Sequence, residues 1–459
     1  MQIARPAETT TRANFSFPIV LTLAVWPFSL FAQAPGNPGP KPTLESSLAN
    51  ASYALGIENG KMTGSGAPIL QSAIAQANFV LIGEDHITRE IPRFAAAVCE
   101  AMGSSGGLSA MAFEASPAAA DFVQQTLKAS DRVGKMADLQ KHYPDSVAFL
   151  NVTDENDLAA HCAAASRSSG FRIWGLDQEF IGSPGWIFER MLATRPGPAA
   201  RAAILQLQAM EHADAEEAGK TGDPSKLFML AVPAAEIEKA AAAIEKDGTP
   251  ATRAAFHELT ESREIYLENA QGSNESNARR ARLMKRNFAA AYQAVAGQTK
   301  PQRVLLKFGD WHLYKGINPL HQRDLGNFVA EFADGRNQAS LHILVLGAKG
   351  THALFAGYRR PLKLEPFVME QDDDYRWLKL AVDAQKAGSW TLFDLRKLRF
   401  QHLDLNTDWD RVIYGYDLMV LIPELTPAGL ILKLRDGQPI VEAIQELTPE
   451  FLVEADGGG

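Results

Sequence analysis

Six apolar runs of strand length recur along the chain, at 78–82, 109–113, 172–176, 303–308, 341–346 and 417–422, and helical stretches separate them. A strand with one wet face alternates apolar and polar side chains, whereas a continuous apolar run is buried on both faces. The pattern predicts an α/β fold, with a largely parallel central sheet flanked by helices. Between about Trp186 and Gln298 the strand-like runs vanish and Ala, Glu, Lys and Arg dominate. Segment 186–298 is therefore expected to be a helical insertion forming a lid. It would divide the α/β domain into a first half, 35–185, and a second half, 299–459. At 459 residues, 46% hydrophobic and 22% charged, the chain has ample material for a core.

Charge and leader narrow the setting. The net charge is −9, and no basic block extends beyond a short run near Arg279. Nucleic acid, which is bound through clustered Lys and Arg, is not an expected partner. Arg5 and Arg12 precede a mostly apolar stretch at 15–32, then Ala32-Gln33-Ala34 and a Pro/Gly-rich segment. That order reads as a secretory signal peptide over 1–34, cleaved after Ala32 or Ala34. An uncleaved anchor is disfavoured, because Pro18 and Pro27 interrupt a run already short for spanning. The expected location is periplasmic or secreted, with no stable membrane insertion after cleavage. Cys99 and Cys162 are the only cysteines. They would form one disulfide or stay as two separate buried thiols.

The polar residues fall at the ends of the runs. Gly83-Glu84-Asp85-His86 closes the first, Glu114 the second, Asp177 the third and Gly309-Asp310-Trp311-His312 the fourth. In the first and fourth a glycine is expected to let the chain turn sharply before the acid and imidazole. A single acid at a strand end is usually a helix cap. Parallel strands, however, carry their carboxyl ends to one edge, where α/β sheets bind ligands. On the helix expected over 277–294, Arg280, Met284 and Asn287 share one face at i, i+4 and i+7. Arg279, Arg282, Lys285 and Arg286 around them also fit a solvated basic face.

Taken in order, these motifs resemble the erythromycin esterase-like, ChaN-like and Tiki superfamily. The carrying residues are Gly83-Glu84-Asp85-His86 with Glu90 and Arg93 following, Glu114, Gly175-Leu176-Asp177, Arg280-x-x-x-Met284-x-x-Asn287, Gly309-Asp310-Trp311-His312, and the closing run 416–423. The short Gly-x-x-His form is closest to the ChaN-like and Tiki members. In the esterases the first histidine stands one residue later, and an earlier histidine replaces Gly309.

The resemblance implies an acyl hydrolase in which His86 activates water, oriented by Glu84 or Glu114. Arg280 would hold the oxyanion and His312 would protonate the leaving group. Glu90, Arg93, Asp177, Asn287, Asp310 and Tyr314 would line the substrate site. The substrate would be a small molecule or a peptide, and no cofactor is required. Two alternatives carry different chemistry. In a Tiki-type peptidase, His86, Glu114 and His312 would bind a divalent metal ion. In a ChaN-like haem- or ligand-binding protein without catalysis, Tyr314 would be the axial ligand. No Gly-x-Ser-x-Gly elbow and no Gly-x-Gly-x-x-Gly fingerprint is present. Asp372-Asp373-Asp374 reads as an exposed loop.

Overall fold

A computed structural model describes residues 41–167, 170–295, 302–435 and 438–439. The leader assigned to 1–34 and the terminal Gly457-Gly458-Gly459 lie outside the described residues. Among the described residues the main sheet has nine strands: β1 (Ser52–Glu58), β2 (Lys61–Thr63), β3 (Phe79–Glu84), β4 (Ala110–Phe113), β5 (Arg172–Gly175), β6 (Val304–Gly309), β7 (Ser340–Gly347), β10 (Trp390–Asp394) and β11 (Leu418–Ile422). A separate hairpin pairs β8 (Lys349–Leu354) with β9 (Lys363–Val368). The sheet order is β2-β1-β10-β11-β7-β3-β6-β4-β5. The six strands from β11 to β5 are parallel, and each comes from one of the six apolar runs. On the other flank β10, β1 and β2 pair antiparallel.

Parallel pairing requires both faces to be covered, and β3 shows how this is met. Val80 and Ile82 enter one fully buried cluster, while Phe79 and Leu81 enter a second on the opposite face. This is the period-two alternation of a strand expressed within an unbroken apolar run. Between β5 and β6 no described residue forms a strand. Helices run over Pro184–Ala193, Pro198–Thr221, Ala234–Asp247, Pro250–Ala270 and Glu275–Ala294. Three of these five start with proline in the first turn, where its missing N–H costs nothing. They share the sheet's core: Phe188, Ile204 and Phe256 pack in the cluster of Val80, and Met284 and Phe288 in that of Phe79.

Cys99, in helix Glu90–Ser105, and Cys162, in helix Thr153–Ala165, form a disulfide with Cα atoms 5.2 Å apart. Of the two arrangements left open by the sequence, the bridged one is present. Among the described residues no helix is long and apolar enough to cross a membrane.

Candidate active site

Register brings the chemistry together. Glu84 ends β3 directly beside Gly309, the end of β6, and β6 pairs on its other side with β4, which delivers Glu114. Asp177 follows β5, next to β4. The strand order β3-β6-β4-β5 therefore lines up Glu84 and His86, Asp310 and His312, Glu114, and Asp177 along one carboxyl edge.

These groups form a continuous chain of alternating charge. Lys307, on β6, is buried and ion-paired to both Glu155 and Glu84. Oε1 of Glu84 accepts from Nδ1 of His86 at 3.1 Å, and Nε2 of His86 stands 3.4 Å from Oε2 of Glu114. Oε2 of Glu114 also accepts from the backbone N–H of Gly309 at 2.7 Å, and its Oε1 from Nη2 of Arg280 at 2.7 Å. Arg280 then grips Asp177 through Nε and Nη2 in a fork. Its Nη1 lies 3.2 Å from Nε2 of His312, whose Nδ1 donates to Asp324 at 2.9 Å.

The two Gly-x-x-His glycines serve close approach, and not the sharp turn expected from the sequence. Gly83 lies inside β3 and Gly309 ends β6 at φ −51°, so neither needs a left-handed backbone. A Cβ on Gly83 would sit 2.2 Å from the Tyr416 hydroxyl, and one on Gly309 would sit 2.8 Å from Nε2 of His86. The glycine at 309 leaves the imidazole room to face Glu114.

Electrostatics set the protonation. Burial would lower the pKa of His86, but the carboxylates of Glu114 and Glu84 prevail and raise it to about 10. Burial would raise Glu114, yet the neighbouring imidazoles and Arg280 hold it well below the usual carboxylate range. Arg280 is desolvated too, and Asp177 and Glu114 keep its guanidinium charged. In His312, burial and Arg280 pull the pKa down while Glu114 and Asp324 pull it up, and the upward pull wins. Both ring nitrogens of His312 are engaged inside the network. Burial lifts Glu155 to about 7 despite Lys307, and Glu84 adds to the rise.

His86 is the most exposed member: its side chain is 29% exposed, against 23% for Arg280, 3% for Glu84 and 5% for Glu114. Its ring stacks on Phe149 with centroids 4.2 Å apart. Next to this pair opens a cavity of about 220 Å³, lined among others by Glu114, Phe149, Asp177 and Arg280. Ile87 and Phe149 hold left-handed backbone angles, φ 58° and 56°. That conformation is costly for a β-branched or bulky residue, and such strain gathers at functional sites.

The remaining candidates divide. Asp310 accepts from the Tyr375 hydroxyl at 3.0 and 3.1 Å and is raised to about 7, chiefly by burial. Asn287 donates to the carbonyl of Leu176 at 3.0 Å and so anchors the Arg280 helix to β5. Glu90 accepts from the backbone and hydroxyl of Thr426, and Arg93 donates to the carbonyl of Ile57; neither joins the network. Tyr314 is 3% exposed and packs edge-on against Tyr416, inside the core. Asp372 to Asp374 form a turn in which Arg376 pairs with Asp373.

The donor sets for metal and haem do not fit. Both oxygens of Glu114 are taken by N–H donors, and the guanidinium of Arg280, a cation, bonds Glu114 and Asp177 and lies 3.2 Å from Nε2 of His312. Among the described residues no group of three His, Cys, Asp or Glu is arranged to hold a metal ion. Tyr314, enclosed in the core, does not present its hydroxyl to a haem-sized space.

Sequence reasoning missed Lys307, Glu155, Asp324 and Phe149. Lys307 had a visible signal, a lone charge inside the apolar run Val304-Leu305-Leu306-Lys307-Phe308. A lysine buried there needs carboxylate partners. Asp324 is concealed as a helix cap, accepting from the N–H of Leu325 with the oxygen that His312 does not use. Glu155 and Phe149 carry no pattern that sets them apart. Beside the network, His352 of β8 pairs with Asp85 at 2.7 Å and stacks on Phe367.

Fold and site together define an α/β protein whose largely parallel sheet carries a buried charge network at its carboxyl edge, partly exposed at His86 and Arg280. No protein-family model and no curated protein sequence matches the chain. Three solved structures share its fold. An erythromycin esterase mutant, EreC, in its open conformation aligns with TM-score 0.55 and 14% identity, over 79% of this chain and 95% of that one. A protein from Bacillus cereus aligns with TM-score 0.54 and 13% identity, over 84% and 98%. A succinoglycan biosynthesis protein aligns with TM-score 0.52 and 15% identity, over 84% and 97%. The resemblance seen in the motifs thus extends to the fold.

Proposed function

We propose that the protein is an exported hydrolase that cleaves an ester, lactone or similar acyl bond with water activated by His86. One observation carries the reading: His86 is the most exposed side chain of the network, at 29% against 23% for Arg280, 10% for His312 and 5% or less for Glu84, Glu114 and Asp177, and it stands beside the cavity. Its contact with Glu114, at 3.4 Å, is longer than the usual 2.7–3.2 Å range for N–H···O bonds. Nε2 is therefore not committed to a full hydrogen bond with Glu114, and it is the ring nitrogen left to take a proton from water. Glu84, held by Lys307, fixes the ring through Nδ1, as an orienting carboxylate does for a general base. In the resting site the imidazole is a cation, so the active form is the one that has lost its proton. Arg280 borders the cavity and supplies positive charge for the oxyanion. His312 works through Arg280 and Glu114, as a positioning residue. The Cys99–Cys162 bridge supports an oxidising, periplasmic or secreted location.

The test is a hydrolysis screen over ester, lactone and peptide substrates, with and without a chelator. Turnover of an ester or lactone that survives chelation is expected. Failure on every ester and lactone, or turnover abolished by the chelator, would overturn the reading.

A further inference from the structure

The cavity beside the network has two characters at once. Phe149, Phe180 and Tyr266 give it aromatic walls, and Phe355, just past β8, packs on both phenylalanines with centroids 6.3 and 5.4 Å away. Ring faces of this kind favour an apolar surface laid against them. Two polar atoms on the same lining break the pattern. Oγ of Ser146, a residue 1% exposed, and Oε1 of Gln178 are buried with no hydrogen-bond partner among the described residues. Native proteins rarely leave such atoms unpaired, and each instance requires an explanation.

An amide oxygen only accepts, so whatever faces Gln178 must donate; a hydroxyl such as that of Ser146 can do either. At about 220 Å³ the space is below the roughly 300–1,000 Å³ of pockets for drug-sized ligands, which suits a single ring. A pyranose meets all of these demands, with a C–H face for the aromatic wall and hydroxyl groups at its edge. Seated there it would lie close to His86, because Phe149 both lines the cavity and stacks on that imidazole.

We propose that this cavity is a subsite for a monosaccharide-sized, hydroxyl-bearing ring, which makes the substrate an acyl ester of a sugar or similar polyol. The substrate class rests on the hydrolase reading; the subsite does not. The experiment therefore measures binding without catalysis. Methyl glycosides of glucose, galactose and mannose, which contain no ester, are titrated by ligand-observed NMR, with cyclohexylmethanol as a ring that lacks their hydroxyl pattern.

At least one glycoside should bind saturably and more tightly than cyclohexylmethanol. Gln178→Leu and Ser146→Ala should each weaken it by roughly three- to tenfold, the worth of one hydrogen bond. Phe180→Ala should weaken both ligands. No glycoside binding above that of cyclohexylmethanol, or binding indifferent to Gln178→Leu in a folded protein, would overturn the subsite. Glycoside binding without hydrolysis of any ester would leave the subsite standing and remove the hydrolase. Hydrolysis of simple esters without glycoside binding would do the reverse.

Discussion

Nε2 of His86 faces Oε2 of Glu114 at 3.4 Å, across a gap that only a glycine at 309 leaves open. Two unit charges at this distance interact by about 5 kcal/mol at an effective dielectric near 20, so one carboxylate is enough to govern whether the ring is charged. Glu114→Gln should therefore lower the pKa of His86 from about 10 toward the ordinary value of 6.5. An NMR titration of the His86 ring protons reads this directly. An unchanged pKa in the variant would show that Glu84 alone sets it.

Stability should follow the same group. The folded-state pKa of His86 lies above its unfolded value, so the stability it contributes is fully present below about pH 6.5 and is lost as pH rises through about 10. In chemical denaturation, wild type should lose stability across that window, and His86→Ala should lose less of it. Parallel curves for the two proteins would contradict the linkage.

Lys307 makes the sharpest structural test. Its ammonium is 2% exposed between Glu84 and Glu155. Lys307→Met would strand two buried carboxylates, at a cost of about 3–5 kcal/mol in unfolding free energy. A loss under about 1 kcal/mol would mean that these acids are neutral in the native state.

The disulfide closes a separation of 63 residues. On the chain-entropy account, a loop of that length is worth about 4 kcal/mol. The Cys99→Ser, Cys162→Ser double variant should melt well below the oxidised protein, as should wild type under reductant. Equal melting temperatures would place the stabilisation elsewhere.

Much of this molecule was legible in its sequence. Six apolar runs became the six parallel strands, and their last residues met at one edge because parallel strands carry their carboxyl ends the same way. Less was legible where pairing is local and half-wet. In β1, Gly56 and two half-buried positions blur the signal, and β9 carries Pro366 at its exposed edge. In the site, Glu84, His86, Glu114, Asp177, Arg280 and His312 were found because each ends a strand or shares a helix face with a partner. Tyr314 was misplaced because two residues past His312 the chain has already turned into the core. Lys307 and Glu155 complete the network by charge pairing across 152 or more residues, which leaves no local pattern, whereas Asp324, 12 residues past His312, is concealed as a helix cap.

The measurement that bears most directly on His86 as a general base is kcat/KM for acyl hydrolysis as a function of pH, since that ratio reports the free enzyme's ionisations. The rate constant should climb with pH from neutrality, with its midpoint near pH 10, and in Glu114→Gln the climb should begin at lower pH. His86→Ala should lose roughly 10²–10⁴-fold and show no such rise. A wild-type profile that is flat or falling between pH 7 and 10, or near wild-type turnover in folded His86→Ala, would contradict the account.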